Sequence, residues 1–221
     1  MTRLTLRLSL VIASTREIPG FSRTFLRYDT CKREEAFPFC IFFSYSIDMK
    51  NVQLILISGL PGAGKSTLAE SLVEKLSMPL FSVDPIESSI IKSGITRRFE
   101  TGLAAYIVAE TLAGEQLKHG LSVIIDAVNP VQEARAMWHN LARTHHATLI
   151  IIECVLEREL HQERIASRVR NMHGIPELTW QDVEHSRKNY LPWTEERLVL
   201  DTANGHEENV QKALDYIHLK G

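Results

Sequence analysis

From residue 52 onward, short apolar runs alternate with longer segments in which apolar residues recur every three or four positions. The run at 52–58, VQLILIS, is typical of a strand covered on both faces. The same criteria predict helices at 66–76, 86–91, 103–118, 157–170 and 207–219, strands at 79–83, 121–125, 147–154 and 197–200, and one more helix that begins at Pro130 with Asn129 as its N-cap. Because strands alternate with helices, we predict a five-stranded parallel α/β sheet with right-handed crossovers.

The first 48 residues do not continue this pattern. They contain six of the eight Phe residues and carry 7 basic against 5 acidic side chains, whereas the remainder carries 18 against 22. Alternating leucines at 4, 6, 8 and 10 predict at most a short strand. We interpret residues 1–48 as a dispensable extension, of the kind that a start codon assigned too early would add, and 49–221 as the folded domain. A targeting segment and a structural element are the alternatives.

Composition excludes several classes of protein. Apolar residues make up 44% and charged residues 24% of the chain, which is close to a globular average. The net charge of −2 gives no general surface for binding polyanions. Three cysteines without metal or disulfide spacing favour a reducing compartment, and we expect the cytoplasm. No apolar run approaches the roughly 20 residues of a membrane span.

A phosphate-binding motif follows the first predicted strand. It reads Gly59, Leu60, Pro61, Gly62, Ala63, Gly64, Lys65, Ser66, with Thr67 next, and fits G-x-x-x-x-G-K-[ST]. Glycines let backbone N–H groups turn inward toward phosphate oxygens, and the helix that begins here adds its unpaired N–H groups and dipole. Lys65 can reach the β- and γ-phosphates, and the Ser66 hydroxyl can bind Mg²⁺. The motif predicts an ATP site.

Two acidic residues stand where predicted strands end, at the edge of a parallel sheet where ligands collect. Asp84 follows the second strand, just before Pro85. We predict that it accepts or orients the proton of an acceptor hydroxyl. Asp126 follows the third strand, and we predict that it organises Mg²⁺ together with Ser66. An ordinary cap or turn role is the alternative for both.

A basic helix follows the fourth strand. Arg164 and Arg168 are four residues apart and share a face, so their guanidinium groups can stabilise a transferring phosphoryl group. Arg158 and Arg170 are weaker candidates. The loop-like segment 171–176 resembles the tip of a mobile lid. The alternative is a solvated face on which the arginines pair with neighbouring glutamates.

Some other polar and aromatic residues are interpreted more simply. Arg135 follows Asp126 by nine residues and is a weaker candidate for approaching the acceptor. His161 is expected at the surface, and the pair His145–His146 is expected to cap a helix end. A capping box is predicted at Thr179–Asp182, and the three tryptophans are expected to be packing residues.

Taken together, these motifs resemble the small P-loop kinases grouped with AAA-type ATP-binding proteins, similar to chloramphenicol phosphotransferase, zeta toxin and the kinase domain of polynucleotide kinase. The resemblance covers 52 to about 202 and rests on ISGLPGAGKST at 57–67, SVDP at 82–85, IDAVN at 125–129 with Arg135, and ERI-x-x-R at 163–168. It implies a nucleoside-monophosphate-kinase-like three-layer P-loop fold with a helical lid. It also implies that Asp84 is the acceptor base, that Asp126 organises the metal, and that Arg164 and Arg168 contact ATP.

The leading functional hypothesis is transfer of the γ-phosphoryl group of ATP to the hydroxyl of a small molecule. A 5′-hydroxyl polynucleotide kinase is the second, but it needs a basic channel that a core of net charge −4 (18 minus 22) offers poorly. A non-catalytic ATP-binding switch is the third. The acceptor depends on residues 87–106, which carry no motif.

Overall fold

The computed structural model describes residues 51–167 and 174–221, all within one compact unit, Ile47–Gly221. The predicted extension, 1–48, and Arg168 and Arg170 lie outside the described residues. The strands are β1 (Gln53–Ser58), β2 (Leu80–Ser82), β3 (Val123–Asp126), β4 (Thr148–Val155) and β5 (Leu198–Asp201). The helices are α1 (Lys65–Leu76), α2 (Val83–Lys92), α3 (Phe99–Lys118), α4 (Gln132–Thr144), α5 (Arg158–Ser167), α6 (Trp180–Asn189) and α7 (His206–Lys220).

Within the described residues the five strands form one parallel sheet in the order β2-β3-β1-β4-β5. All six residues of β1 are buried because helices cover both faces of the sheet. Leu54 and Leu56 point to the layer that contains α3 and α4, and Ile55 and Ile57 point to the layer that contains α1 and α7. This alternation is the period of two that a strand imposes on its side chains. The predicted three-layer P-loop NTPase fold is confirmed.

The strand order decides which residues meet at the carboxyl edge of the sheet. β1 connects to β2 across the intervening β3, so Ile57 pairs with Asp126 and Ser82 also pairs with Asp126. The loop after β1 and the first turn of α2 therefore lie on either side of the end of β3. Ligands of open α/β sheets bind at such an edge.

The predicted start of the helix after β3 is wrong. Asn129 has a positive φ of 53° and is fully buried, and Val131 is the N-cap of α4. The Asn129 side chain is used elsewhere, because its Oδ1 accepts a hydrogen bond from Trp138 Nε1 at 2.8 Å. Its backbone N–H donates to the Tyr106 hydroxyl at 3.0 Å. A side chain committed to the core cannot cap the helix.

The other boundary differences are small. α2 and α3 begin three and four residues earlier than predicted, since β2 leads directly into α2. The predicted capping box of α6 is confirmed: the Thr179 hydroxyl accepts from the Asp182 N–H, and Asp182 Oδ2 accepts from the Thr179 N–H at 2.9 Å. In the part of the chain that the structure describes, no helix is both long and apolar enough to cross a membrane.

Candidate active site

The loop between β1 and α1 is shaped by glycines at positions that other residues could not occupy. Gly59 has φ of 138°, and a Cβ there would overlap the backbone carbonyl oxygen of Cys154 on β4. Gly64 has φ of 94° and is the N-cap of α1. Positive φ is accessible to glycine at little energetic cost. The loop therefore wraps back over the start of α1, which leaves backbone N–H groups available to an anion.

Lys65 and Ser66, the first residues of α1, are held in place by partners on the loop and on β3. Lys65 is only 8% exposed, and its Nζ donates to the Leu60 carbonyl oxygen at 3.1 Å. The Ser66 hydroxyl donates to Asp126 Oδ2 at 2.7 Å. Asp126 is 6% exposed, at the last position of β3. Two oxygens that the sequence predicted to share a metal thus lie in direct contact.

A cavity of about 380 Å³ opens above this loop. The predicted site residues along its lining are Gly62, Gly64, Lys65, Ser66, Thr67, Asp84, Asp126 and Arg164. Gly59, Pro61 and Ala63 belong to the loop but not to the lining. Asp84 enters from the first turn of α2, and Arg164 enters from α5. Cationic and acidic groups therefore face the same space, as transfer of a charged phosphoryl group requires.

Arg164 is fixed over the loop by Thr202. Its Nη1 donates to the Thr202 hydroxyl at 3.0 Å, and its Nη2 donates to the Thr202 carbonyl oxygen at 3.1 Å. The Thr202 hydroxyl in turn donates to the carbonyl oxygen of Ala63 at 2.9 Å. The guanidinium also lies close to Gly64, where a Cβ would be 3.3 Å from Nη1. Arg164 is thus coupled to the loop through one threonine.

Thr202 belongs to a wall of the cavity that sequence reasoning missed. Asn204, His206 and Asn209, from the connection between β5 and α7 and from α7 itself, continue this wall. β5 ends at the same edge of the sheet as β1 and β3, but the apolar run at 197–200 does not by itself show which strand it lies beside. By contrast, Arg158 pairs with Glu184 on α6 at 2.9 Å and is 58% exposed, which fits the solvated-face alternative.

The AAA domain family model matches residues 54–190. The chain belongs to this family of P-loop kinases. An uncharacterised protein of Mycobacterium tuberculosis is 30% identical over 129 residues, which cover 53% of this chain and 26% of that protein. The bifunctional polynucleotide phosphatase/kinase of Schizosaccharomyces pombe is 27% identical over 132 residues, covering 58% and 28%. The adenylyl-sulfate kinase of Deinococcus deserti is 28% identical over 136 residues, covering 56% and 73%.

The chain spans only about a quarter of the length of the mycobacterial and yeast relatives. Among solved structures, it resembles a candidate kinase from Chloroflexus aurantiacus with a TM-score of 0.63 and 25% identity, covering 76% of this chain and 99% of that one. It also shares its fold with the M. tuberculosis APS kinase in complex with AMPPNP and APS (TM-score 0.57, 17% identity, 76% and 98% coverage). A gluconokinase from Sinorhizobium meliloti has a TM-score of 0.56 at 19% identity, with 77% and 94% coverage. These structures share the fold of the chain.

Arg135 does not line the cavity, so the prediction that it approaches the acceptor is not supported by its position. It is fully buried, and its guanidinium donates to the carbonyl oxygens of Asn129, Leu191 and Pro192. The guanidinium also stacks over the Trp193 ring at 3.9 Å. Carbonyl oxygens and an aromatic face stabilise the buried cation, so Arg135 joins α4 to the segment after α6.

A buried polar network holds the end of β1, where the phosphate-binding loop begins. The Tyr190 hydroxyl donates to Glu153 Oε1 at 3.0 Å and lies 3.2 Å from the Ser58 hydroxyl. Glu153 Oε2 accepts from Arg197 Nε at 2.6 Å. Burial raises the pKa of Tyr190 to about 12, so the phenol stays protonated. Ser58 directly precedes Gly59, and the network therefore anchors the end of β1.

Cys154 and His161 are both buried in the structure. Burial raises the pKa of the Cys154 thiol to about 12, so Cys154 is not a nucleophile at neutral pH. His161, expected at the surface, is only 1% exposed. Its Nε2–H donates to the Pro61 carbonyl oxygen at 2.9 Å, and its ring meets Trp180 edge-on at 5.6 Å. The expectation for His161 was wrong because helical spacing does not reveal that α5 lies directly on the loop.

Proposed function

We propose that this chain transfers the γ-phosphoryl group of ATP to a hydroxyl of a small molecule. The observation that carries the proposal is the contact between the Ser66 hydroxyl and Asp126 Oδ2 at 2.7 Å, in a cavity that Lys65, Asp84 and Arg164 also line. Membership in a P-loop kinase family and the fold shared with APS kinase and gluconokinase support it.

The residues of the loop bind the phosphates of ATP. Backbone N–H groups of the loop and of the first turn of α1 donate hydrogen bonds to phosphate oxygens. Lys65 adds a cation that is already held against the loop. Arg164 faces the same cavity and can stabilise charge on the transferring group without reorganising, because Thr202 already orients it.

The acceptor hydroxyl is expected to meet Asp84. The γ-phosphorus then forms a bond to the acceptor oxygen as its bond to the β–γ bridging oxygen of ATP breaks. The hydroxyl proton passes to the Asp84 carboxylate, and ADP is released with the bridging oxygen. Asp84 is exposed at the first turn of α2, where an acceptor can approach it.

Ser66 and Asp126 fit a magnesium site. Mg²⁺ prefers oxygen ligands and usually takes only one or two from the protein, together with phosphate and water oxygens. A hydroxyl and a carboxylate in contact at 2.7 Å supply these two donors at the end of β3. When bound, Mg²⁺ would offset the charge of the β- and γ-phosphates. Ser66 and Asp126 would hold the ion, and their hydrogen bond keeps the two oxygens next to each other.

An acceptor screen tests this function. The protein is incubated with Mg²⁺, γ-¹⁸O-labelled ATP and a library of hydroxyl metabolites that includes adenylyl sulfate and gluconate, the substrates named for the relatives. Mass spectrometry is expected to find one labelled phosphate ester with the wild type and none with Lys65→Ala. ATP binding without any labelled ester across the library would instead support a switch protein.

A 5′-hydroxyl polynucleotide acceptor is the second candidate, because the yeast polynucleotide phosphatase/kinase is among the relatives. It requires phosphate contacts along a strand, and strand binding would weaken steeply as salt rises. Filter binding of a 5′-hydroxyl oligonucleotide at low salt separates the two acceptors. Retention of the oligonucleotide together with 5′ labelling would favour the polynucleotide reaction.

A further inference from the structure

His161 contacts the phosphate-binding loop from outside the cavity. Its Nε2–H donates to the Pro61 carbonyl oxygen at 2.9 Å, since a carbonyl oxygen can only accept and Nε2 must therefore carry a proton. The other ring nitrogen, Nδ1, is buried and has no hydrogen-bond partner among the described residues. The ring is held by the edge-on contact with Trp180 of α6. One hydrogen bond therefore joins α5 to the backbone of the loop.

The partner of His161 is one end of a single peptide plane. In a trans peptide the C=O of one residue and the N–H of the next point in opposite directions, and no described peptide bond is cis. Since the Pro61 carbonyl points out toward His161, the Gly62 N–H points to the opposite side. Gly62 lines the cavity. The hydrogen bond thus aims the Gly62 N–H at the space where phosphates bind.

Nothing in Gly62 itself fixes that orientation. Gly62 has φ of 81°, and glycine also populates negative φ readily, so a flip of the peptide plane is inexpensive for the backbone. A flipped plane would turn the Pro61 carbonyl oxygen toward the cavity, where it would repel a phosphate. α5 lies close to the loop here, since a Cβ at Gly62 would overlap Ile165 and lie 3.3 Å from His161 Nε2.

We propose that His161 is a positioning residue that locks the Pro61–Gly62 peptide plane, with the Gly62 N–H directed at the phosphates of ATP. The proposal rests on the proposed function only for the identity of the nucleotide. His161 does not touch the nucleotide itself, and its effect passes through the loop backbone.

Calorimetric titration of the full-length protein with ATP and Mg²⁺ tests this role. His161→Phe keeps a ring against Trp180 but has no donor, whereas His161→Gln offers an amide N–H near the position of Nε2. Loss of one backbone hydrogen bond to a charged phosphate should weaken ATP binding about tenfold or more in His161→Phe. His161→Gln should restore most of the affinity, and the exposed control His119→Gln should bind as the wild type does.

A spectrum of ¹⁵N-glycine-labelled protein reports the peptide plane directly. The Gly62 amide signal of the wild type and of His161→Gln should move strongly when ATP binds, and that of His161→Phe should move less. If His161→Phe does not unfold cooperatively, the smaller His161→Leu takes its place.

Wild-type affinity in the donor-free variant overturns the proposal, and so does a His161→Gln variant that binds as weakly as His161→Phe. ATP binding without phosphorylation of any acceptor overturns the proposed function alone. A wild type that binds no ATP overturns both.

Discussion

Ser66 and Asp126 meet because β1 and β3 are neighbours in the sheet, although 60 positions separate them along the chain. Asp126 is the last residue of the buried strand β3, and Ser66 lies in the first turn of α1, after the loop that follows β1. The Asp126 carboxylate is 6% exposed and accepts a hydrogen bond from the Ser66 hydroxyl, and these two oxygens are the donors of the proposed Mg²⁺ site. At the scale of single residues, Ser66 and Asp126 are therefore the pair on which the proposed Mg²⁺ site depends.

Replacing Asp126 by Asn tests the pair. The amide oxygen still accepts from Ser66, but the negative charge is lost, so Mg²⁺-dependent ATP binding should weaken about 10- to 100-fold. ATP binding measured in EDTA should change little. Calorimetry with and without Mg²⁺ gives both values, and Asp215→Asn, on the exposed face of α7, is the matched control. An equal loss with and without Mg²⁺ would argue against a metal role for Asp126.

The contacts between helices and the sheet bring together residues that are far apart in the sequence. α5 was predicted from its spacing, but its contact with the loop through His161, and the contact of Arg164 with Thr202, depend on how helix and sheet pack together. Likewise, α4 is joined to the segment after α6 through the buried guanidinium of Arg135. Periodicity shows which face of a helix is buried but not which element covers that face.

The joint between α4 and the segment after α6 gives a prediction for stability. Arg135→Met keeps much of the volume but leaves three carbonyl oxygens without their donor, one of them in a buried hydrogen bond and two in part-buried ones. The free energy of unfolding should fall by about 2 kcal/mol or more, since one unpaired buried group costs about 1–3 kcal/mol and the two part-buried groups add to that cost. Urea denaturation measures the change. Arg143→Met, at an exposed position of the same helix, should change it by less than about 0.5 kcal/mol. Equal changes in the free energy of unfolding for the two substitutions would show that the hydrogen bonds of the buried guanidinium do not stabilise the fold.

The buried position of His161 against the phosphate-binding loop predicts a pH dependence of stability. Burial lowers the pKa of His161 below its ordinary value of 6.5, assisted by the nearby cations Arg187, Arg164 and Lys65. The unfolded chain therefore takes up this proton first as the pH falls. His161 leaves stability unchanged above about pH 7 and reduces it below 6.5, by at most about 1.4 kcal/mol per pH unit.

His161→Gln cannot titrate, so its free energy of unfolding should fall less than that of the wild type between pH 7.5 and pH 5.5. Urea denaturation of both proteins at the two pH values isolates the effect of this one group. A difference between the two proteins that stays constant with pH would contradict the assignment of a buried, neutral His161.

At the scale of the whole molecule, the parallel sheet and the loop could be predicted because each depends on local patterns. Buried strands are visible in the sequence as continuous apolar runs. The glycines at 59 and 64 are visible because the loop needs a positive φ at both positions. The cavity wall formed by Thr202 and Asn204 could not be assigned, since it depends on β5 lying beside β4. Asn129 was misinterpreted as an N-cap because its true partners, Tyr106 and Trp138, lie on other elements or later in the chain.

The proposed transfer of a phosphoryl group to a hydroxyl depends on Asp84, and the substitution Asp84→Asn tests this dependence. The amide keeps the size and polarity of the side chain but cannot take the hydroxyl proton. With the acceptor found in the screen, transfer from labelled ATP should fall at least about 100-fold, a typical contribution of general base catalysis. ATP affinity, measured by calorimetry on the same samples, should stay unchanged. Wild-type transfer by Asp84→Asn would contradict the account.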